Sequence, residues 1–181
     1  MKIWDPHFHI WDVSPSTLTG HDPEKLFAPE GDPLYTLGRF EKDMTIDGFE
    51  FTGGACVEAV SVCHVETDGP AFESACEAET RWVSSQLEKS SSDYLLVASA
   101  PLESPRIDQI LESLKRFPKV SGIRQIINYK PSWPRNIKRG NFLENPQWQE
   151  GFARLAGHDL AYDLQLNPHQ FDQAAALGAK Y

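Results

Sequence analysis

The sequence predicts an α/β fold of the (β/α)₈ barrel type, truncated after about five βα units. First, short apolar segments alternate with segments whose apolar residues recur at helical spacing, which is typical of a parallel sheet with helical crossovers. Second, the strands repeat at intervals of roughly thirty residues, as they do when about 250 residues form eight barrel units. The predicted strands cover residues 2–4, 57–66, 94–98, 120–127 and 160–166.

A doubly wound sheet of five strands is the structural alternative, and it would be complete at this length. At 181 residues the chain is expected to form one domain. We therefore assign residues 1–181 to a single barrel domain whose C-terminal units are missing.

Four helices are predicted from apolar residues at helical spacing. The first covers residues 70–88, and the others begin near Ser104, Asn145 and Asn167, each of which is followed by a proline suited to a first helical turn. Residues 13–47 are polar and contain several prolines and glycines, so we expect a long loop with a helical turn after Asp22.

Composition narrows the class of function. The chain is 40% hydrophobic and 24% charged, as in ordinary globular proteins, and its formal charge is −9. Without a cluster of Lys or Arg, neither nucleic acid nor a membrane surface is an expected partner. No P-loop, GxGxxG or GxSxG motif is present. Three cysteines without CxxC spacing and no visible signal peptide favour the cytoplasm.

Residues 5–12, with the sequence DPHFHIWD, carry the strongest chemical signal. His7 and His9 follow the first predicted strand and are separated by one residue, so their side chains are expected on the same face. Two imidazoles held in this way can bind one divalent metal ion, and zinc commonly has imidazole ligands. An HxH pair alone is unspecific, but its position at the end of the first strand favours a metal site.

Further polar residues share one face of later strands near their carboxyl ends, where a barrel has its site. Glu66 is a candidate for contact with a metal or substrate, and Arg124 and Gln165 are candidates for substrate binding. Structural alternatives exist for each. In these alternatives, Glu66 contacts a structural partner, Arg124 forms an ion pair with Asp163, and Gln165 satisfies backbone groups inside the barrel. His64 is expected to be an interior histidine.

Taken together, these residues resemble the amidohydrolase-related family. This is the branch of the amidohydrolase superfamily that contains sugar lactonases and 2-pyrone-4,6-dicarboxylate lactonase. The matching segments follow the family's order and span nearly the whole chain. They are residues 5–12 (DPHFHIWD), 63–66 (CHVE), 77–83 (EAETRWV), 122–125 (GIRQ) and 163–166 (DLQL), followed by Gln170.

The resemblance implies a barrel enzyme that hydrolyses a cyclic ester of a sugar acid or dicarboxylic acid. By family likeness, His7 and His9 bind a divalent metal, zinc or manganese, in members that use one, or polarise the substrate in members that do not. Glu66 would lie near the site, and Arg124 would hold a substrate carboxylate or hydroxyl, for which an arginine fork is well suited. The general base, an aspartate of the eighth strand, is expected beyond Tyr181.

Two alternatives to a lactonase stay open. One is a metal-dependent decarboxylase of the aminocarboxymuconate-semialdehyde type, which has the same fold. The other is a non-catalytic half-barrel that acts as a binding or assembly module. Because five strands of eight leave two open edges, we expect the 181 residues to be a portion of a longer chain that is inactive by itself, or to form a homo-oligomer.

Overall fold

The computed structural model describes residues 1–12, 34–60, 69–133 and 139–181. Its main sheet has five parallel strands: β1 (Lys2–Phe8), β4 (Glu50–Val57), β5 (Asp93–Ser99), β6 (Val120–Arg124) and β7 (Ala161–Asp163). A separate antiparallel pair consists of β2 (Trp11–Asp12) and β3 (Leu34–Tyr35). The helices are α1 (Leu37–Asp43), α2 (Gly69–Leu87), α3 (Ile107–Leu114), α4 (Pro146–Gly157) and α5 (Phe171–Gly178), with 3₁₀ turns at Phe142–Glu144 and Pro168–Gln170.

The order of strands in the sheet distinguishes the two predicted architectures. The sheet runs β1-β4-β5-β6-β7, so that each strand lies beside the next one of the sheet along the chain. Parallel crossovers are right-handed, and a sequential order therefore places all the helices on one face, as in a barrel. A doubly wound sheet requires a reversal of strand order. The prediction of a barrel-type α/β fold is confirmed, and the doubly wound alternative is wrong.

Two buried clusters pack the helices against the outer face of the sheet. In one, Phe8, Ile10 and Tyr94 meet apolar residues of α1 and α2. In the other, the strand residues Ala98 and Ile123 meet apolar residues of α3, α4 and α5. Because side chains alternate along a strand, the opposite, inner face carries the remaining residues. They include His7, His9, Leu95 and Arg124. No helix in the described ranges is long and apolar enough to span a membrane.

The second strand of the sheet begins and ends earlier than predicted, and residues 61–66 of the predicted strand lie outside the described residues. The strand that follows β1 in the sheet is β4, which ends at Val57, where the predicted strand begins. Glycines at positions 53 and 54 lower the strand propensity of this segment, whereas residues 57–66 are rich in valine. Gly53 has φ +143°, and a Cβ there would lie 1.7 Å from the Asp93 carbonyl oxygen. His64 and Glu66 lie outside the described residues.

Two further strands are shorter than predicted. β6 ends at Arg124 and β7 at Asp163, so Gln165 lies in the following loop. The backbone beyond β6 finds other partners: the Tyr162 hydroxyl donates to the Gln125 carbonyl at 2.8 Å, and Ile127 N–H donates to the Gln165 carbonyl at 3.1 Å. These bonds satisfy polar backbone groups without continuing the sheet ladder.

The predicted loop over residues 13–47 contains structure in its second half. α1 begins after Thr36, whose side chain accepts a hydrogen bond from Arg39 N–H, and the helix buries Leu37 and Phe40. A threonine cap followed by apolar residues three apart is a helix signal that the prolines and glycines of this stretch obscured. The predicted turn after Asp22 lies outside the described residues.

Candidate functional site

His7 and His9 converge at the carboxyl end of β1. Their Nε2 atoms are 3.1 Å apart. Between Asp5 and Phe8, β1 contains one residue more than the segment of β4 with which it pairs. This irregularity in the register lies next to His7. The Asp5 carboxylate accepts a hydrogen bond from the His7 backbone N–H at 2.9 Å, which supports the local turn. The predicted convergence of the two imidazoles is therefore present.

The second nitrogen of His9 determines which tautomer the ring adopts. His9 Nδ1 lies 2.8 Å from the Val57 carbonyl oxygen. A carbonyl only accepts, so Nδ1 carries the proton and Nε2 presents its lone pair towards His7. The pKa of His9 is lowered, chiefly by burial and also by the positive charge of Arg124, despite the opposing bond to Val57. Burial thus favours the neutral ring, which is the form that binds metals.

The two histidines fit as a pair of metal ligands. Two nitrogens bound tetrahedrally to zinc at about 2.0–2.1 Å lie about 3.3 Å apart, near the observed 3.1 Å. A second ring nitrogen bonded to a backbone carbonyl is the usual support of a metal-binding histidine. The distance also suits a hydrogen bond from His7 Nε2 to His9 Nε2. Within the described ranges, no group of three His, Cys, Asp or Glu side chains is placed to hold a metal ion.

Arg124 lies close to this pair on the inner face, but it is bound to Glu58. Arg124 Nε donates to Glu58 Oε1 at 2.8 Å, and its Nη2 donates to the Glu58 carbonyl oxygen at 2.6 Å. Its ion pair is therefore with Glu58 rather than with Asp163, its neighbour in the β6–β7 register. The assignment of Arg124 to substrate binding stays a prediction, and two nitrogens of its guanidinium group already donate hydrogen bonds to Glu58.

Glu58 and Glu79 are polar residues of this region that the sequence reasoning missed. Glu58 directly follows β4 and is buried, and Glu79 Oε1 accepts a hydrogen bond from Ala59 N–H at 3.0 Å. Burial, and then the charge of Glu58, raises the pKa of Glu79 well above its usual range. A predicted strand that ended at Val57, nine residues earlier, would have revealed Glu58, because Glu58 would then follow the strand end.

Gln165 lies in the loop after β7 and is half-buried. Its backbone carbonyl accepts from Ile127 N–H, while its part in substrate binding stays a prediction. Nearby, the Gln170 side chain binds Tyr129 N–H and the Ile127 carbonyl, and thereby joins the loop after β6 to the turn that precedes α5. Glu66, the remaining predicted site residue, lies outside the described ranges.

Comparison with known proteins found no matching family model. The uncharacterized protein y4mH from Sinorhizobium fredii is 26% identical over 186 residues, which cover 100% of this chain and 59% of that protein. An amidohydrolase from Burkholderia multivorans with bound HEPES has a TM-score of 0.64 at 15% identity, over 98% of this chain and 53% of its own. A form of it with bound zinc has a TM-score of 0.61.

Amidohydrolase 2 from Bifidobacterium longum subsp. infantis has a TM-score of 0.61 at 21% identity, over 99% of this chain and 57% of its own. At these identities the likeness shows the fold: the chain has the barrel-type α/β fold of amidohydrolase structures. It spans a little more than half the length of the proteins that it matches.

Proposed function

We propose that the chain carries the first-strand metal site of a hydrolase of the amidohydrolase superfamily. Its substrate would be a small cyclic ester, a lactone of a sugar acid or dicarboxylic acid. The observation that carries the proposal is the pair of Nε2 atoms 3.1 Å apart, with His9 held as the Nδ1–H tautomer by Val57. The shared fold of amidohydrolase structures, one of which contains bound zinc, supports it.

In this proposal His7 and His9 hold a divalent metal ion, zinc or manganese. When bound, such an ion polarises a lactone carbonyl or lowers the pKa of water. The chain's own residues prepare the ligands: Val57 keeps the proton of His9 on Nδ1, and burial keeps the ring neutral. Gln165, half-buried in the loop after β7, is the proposed contact for substrate hydroxyl or carboxylate groups.

A zinc titration of the 181-residue chain tests the site. We expect calorimetry to show zinc binding to the wild type and none to the double variant His7→Ala with His9→Ala. At free zinc 100 times the dissociation constant, the wild type should gain about 2.7 kcal/mol of stability, which the double variant should lack. His169→Ala, an exposed histidine of the second 3₁₀ turn, is the matched control. Equal zinc content and thermal stability in the wild type and the double variant would show that the metal site is wrong.

The reaction is tested on the zinc-loaded chain with a panel of sugar-acid and dicarboxylic-acid lactones. Release of acid from a lactone supports the hydrolase. Release of CO₂ from an unsaturated carboxylate would identify the decarboxylase instead, because lactone hydrolysis produces none. Because the 181 residues are expected to be inactive by themselves, the same assays are run on a chain extended beyond Tyr181 to the length of its relatives. Zinc binding with silence in both assays there contradicts the proposed activity and favours a binding module.

A further inference from the structure

The ion pair of Arg124 and Glu58 is buried, with side chains 4% and 0% exposed. Arg124 holds residue 58 twice, through the carboxylate at 2.8 Å and through the backbone carbonyl at 2.6 Å. The desolvation cost of a buried pair largely offsets its attraction, so net stability is a weak reason for having one here. Because Arg124 binds both the side chain and the backbone carbonyl of Glu58, the contacts instead indicate control of the backbone orientation at Glu58.

The backbone that Arg124 holds is directly connected to His9. The peptide group between Val57 and Glu58 has its carbonyl bonded to His9 Nδ1 at 2.8 Å and its N–H bonded to the Val97 carbonyl at 2.9 Å. Arg124 binds the next carbonyl along the chain. This peptide group is thus bonded to β5 through its N–H and to His9 through its carbonyl, while Arg124 of β6 holds the side chain and the carbonyl of the adjoining Glu58.

We propose that Arg124 is a positioning residue for His9. By holding Glu58, it keeps the Val57 carbonyl directed at His9 Nδ1, so that the Nε2 lone pair faces His7. The chemical purpose of this arrangement rests on the proposed metal site, but the tautomer itself is a property of the metal-free chain. A lysine at position 124 keeps the charge and loses the planar fork that reaches both acceptors together.

The test is the tautomer of His9 in the metal-free 181-residue chain, read from long-range proton–nitrogen NMR correlations of ¹⁵N-histidine. The signals are assigned by their disappearance in His9→Gln. We expect one dominant Nδ1–H tautomer in the wild type and a mixture of tautomers in Arg124→Lys. Arg139→Lys is the matched control, since Arg139 forms a half-buried ion pair with Glu103 and contacts neither histidine, and it should leave the tautomer unchanged.

A zinc titration of the same variants gives the second readout. Arg124→Lys should weaken zinc binding by about 10- to 100-fold, as loss of an outer-shell partner does, and Arg139→Lys should not. If Arg124→Lys does not fold, Arg124→Met with Glu58→Leu removes both buried charges together and should show the same mixture of tautomers.

The outcomes separate this inference from the proposed function. An unchanged His9 tautomer in a folded Arg124 variant overturns the positioning role, whatever zinc does. A wild type that has the expected tautomer, loses it in the Arg124 variant and binds no zinc overturns the metal site and leaves the positioning role standing.

Discussion

Glu58 and Glu79 bring two carboxylates to the carboxyl end of β4, where the guanidinium of Arg124 forms an ion pair with Glu58. Glu79 comes from α2, and its carboxyl group accepts hydrogen bonds from the backbone N–H groups of Ala59 and Val60. Burial and the neighbouring carboxylate both raise its pKa, because each disfavours a second negative charge in this place. The folded protein therefore holds the proton of Glu79 more tightly than the unfolded chain does.

The stability of the protein should depend on pH through Glu79. Stability from a raised carboxyl pKa is fully present below the unfolded value, about 4.5, and is lost as pH rises through the folded value. Glu79→Gln keeps an oxygen for Ala59 N–H and cannot ionise, so it should remove a slope of up to about 1.4 kcal/mol per pH unit. Urea unfolding at a series of pH values measures it.

Glu77→Gln is the control on the same helix, since the Glu77 side chain is 44% exposed and pairs with Arg81. It should change the free energy of unfolding by about 0.5 kcal/mol or less and leave the pH slope intact. Parallel pH profiles of wild type and Glu79→Gln would contradict a raised pKa at Glu79.

At the scale of elements, helices could be predicted where apolar residues recur with the helical period. Strands could not be predicted where contacts between backbone segments, rather than residue propensity, determine their position. The predicted helix at 70–88 corresponds to α2 because its buried side chains recur every three to four residues. β4 was missed because Gly53 is required by the approach of the Asp93 carbonyl, a contact that lies forty residues away in the sequence. The residues that surround Gly53 in the sequence do not indicate that Asp93 lies beside it in the folded chain.

A second close approach concerns α4. A Cβ at Gly151 would lie 1.9 Å from the Leu102 carbonyl oxygen in the loop after β5, so the helix packs directly on that backbone. We expect Gly151→Ala to lower the free energy of unfolding by about 1–3 kcal/mol or more, because backbone cannot yield as a side chain does. Chemical denaturation measures the change.

Gly157→Ala, at the end of the same helix, has open space around the new methyl group and is the matched control. It should be neutral or stabilising by up to about 1 kcal/mol through helix propensity. Equal effects of the two substitutions would contradict the close packing of α4 on the loop.

For the whole molecule, the sequence predicted the barrel-type fold and the convergence of His7 and His9, since both follow from chain-order periodicity and strand alternation. It did not predict the partner of Arg124. The choice between Glu58 and Asp163 depends on where β4 ends, and an error of several residues there moves every polar side chain to a different level of the sheet. When a site contains residues from several strands, an error in the predicted end of any one strand leads to a wrong prediction of which side chains meet there.

The described sheet has β1 and β7 at its two edges, and its inner face exposes Leu95 with 42% of its surface accessible. Open strand edges and exposed apolar side chains both favour association. We expect sedimentation analysis of the 181-residue chain to show a concentration-dependent mass above 20.4 kDa. Leu95→Lys, which adds a charge to the inner face, should shift the distribution towards the monomer.

Ile46→Lys provides the control, because Ile46 is 47% exposed but precedes β4 and is not part of a strand of the sheet. It should leave the association unchanged, so that the effect of Leu95→Lys is assigned to the inner face rather than to added charge. A single 20.4 kDa species at every concentration, or the same association in Leu95→Lys as in the wild type, would show that this face does not mediate self-association.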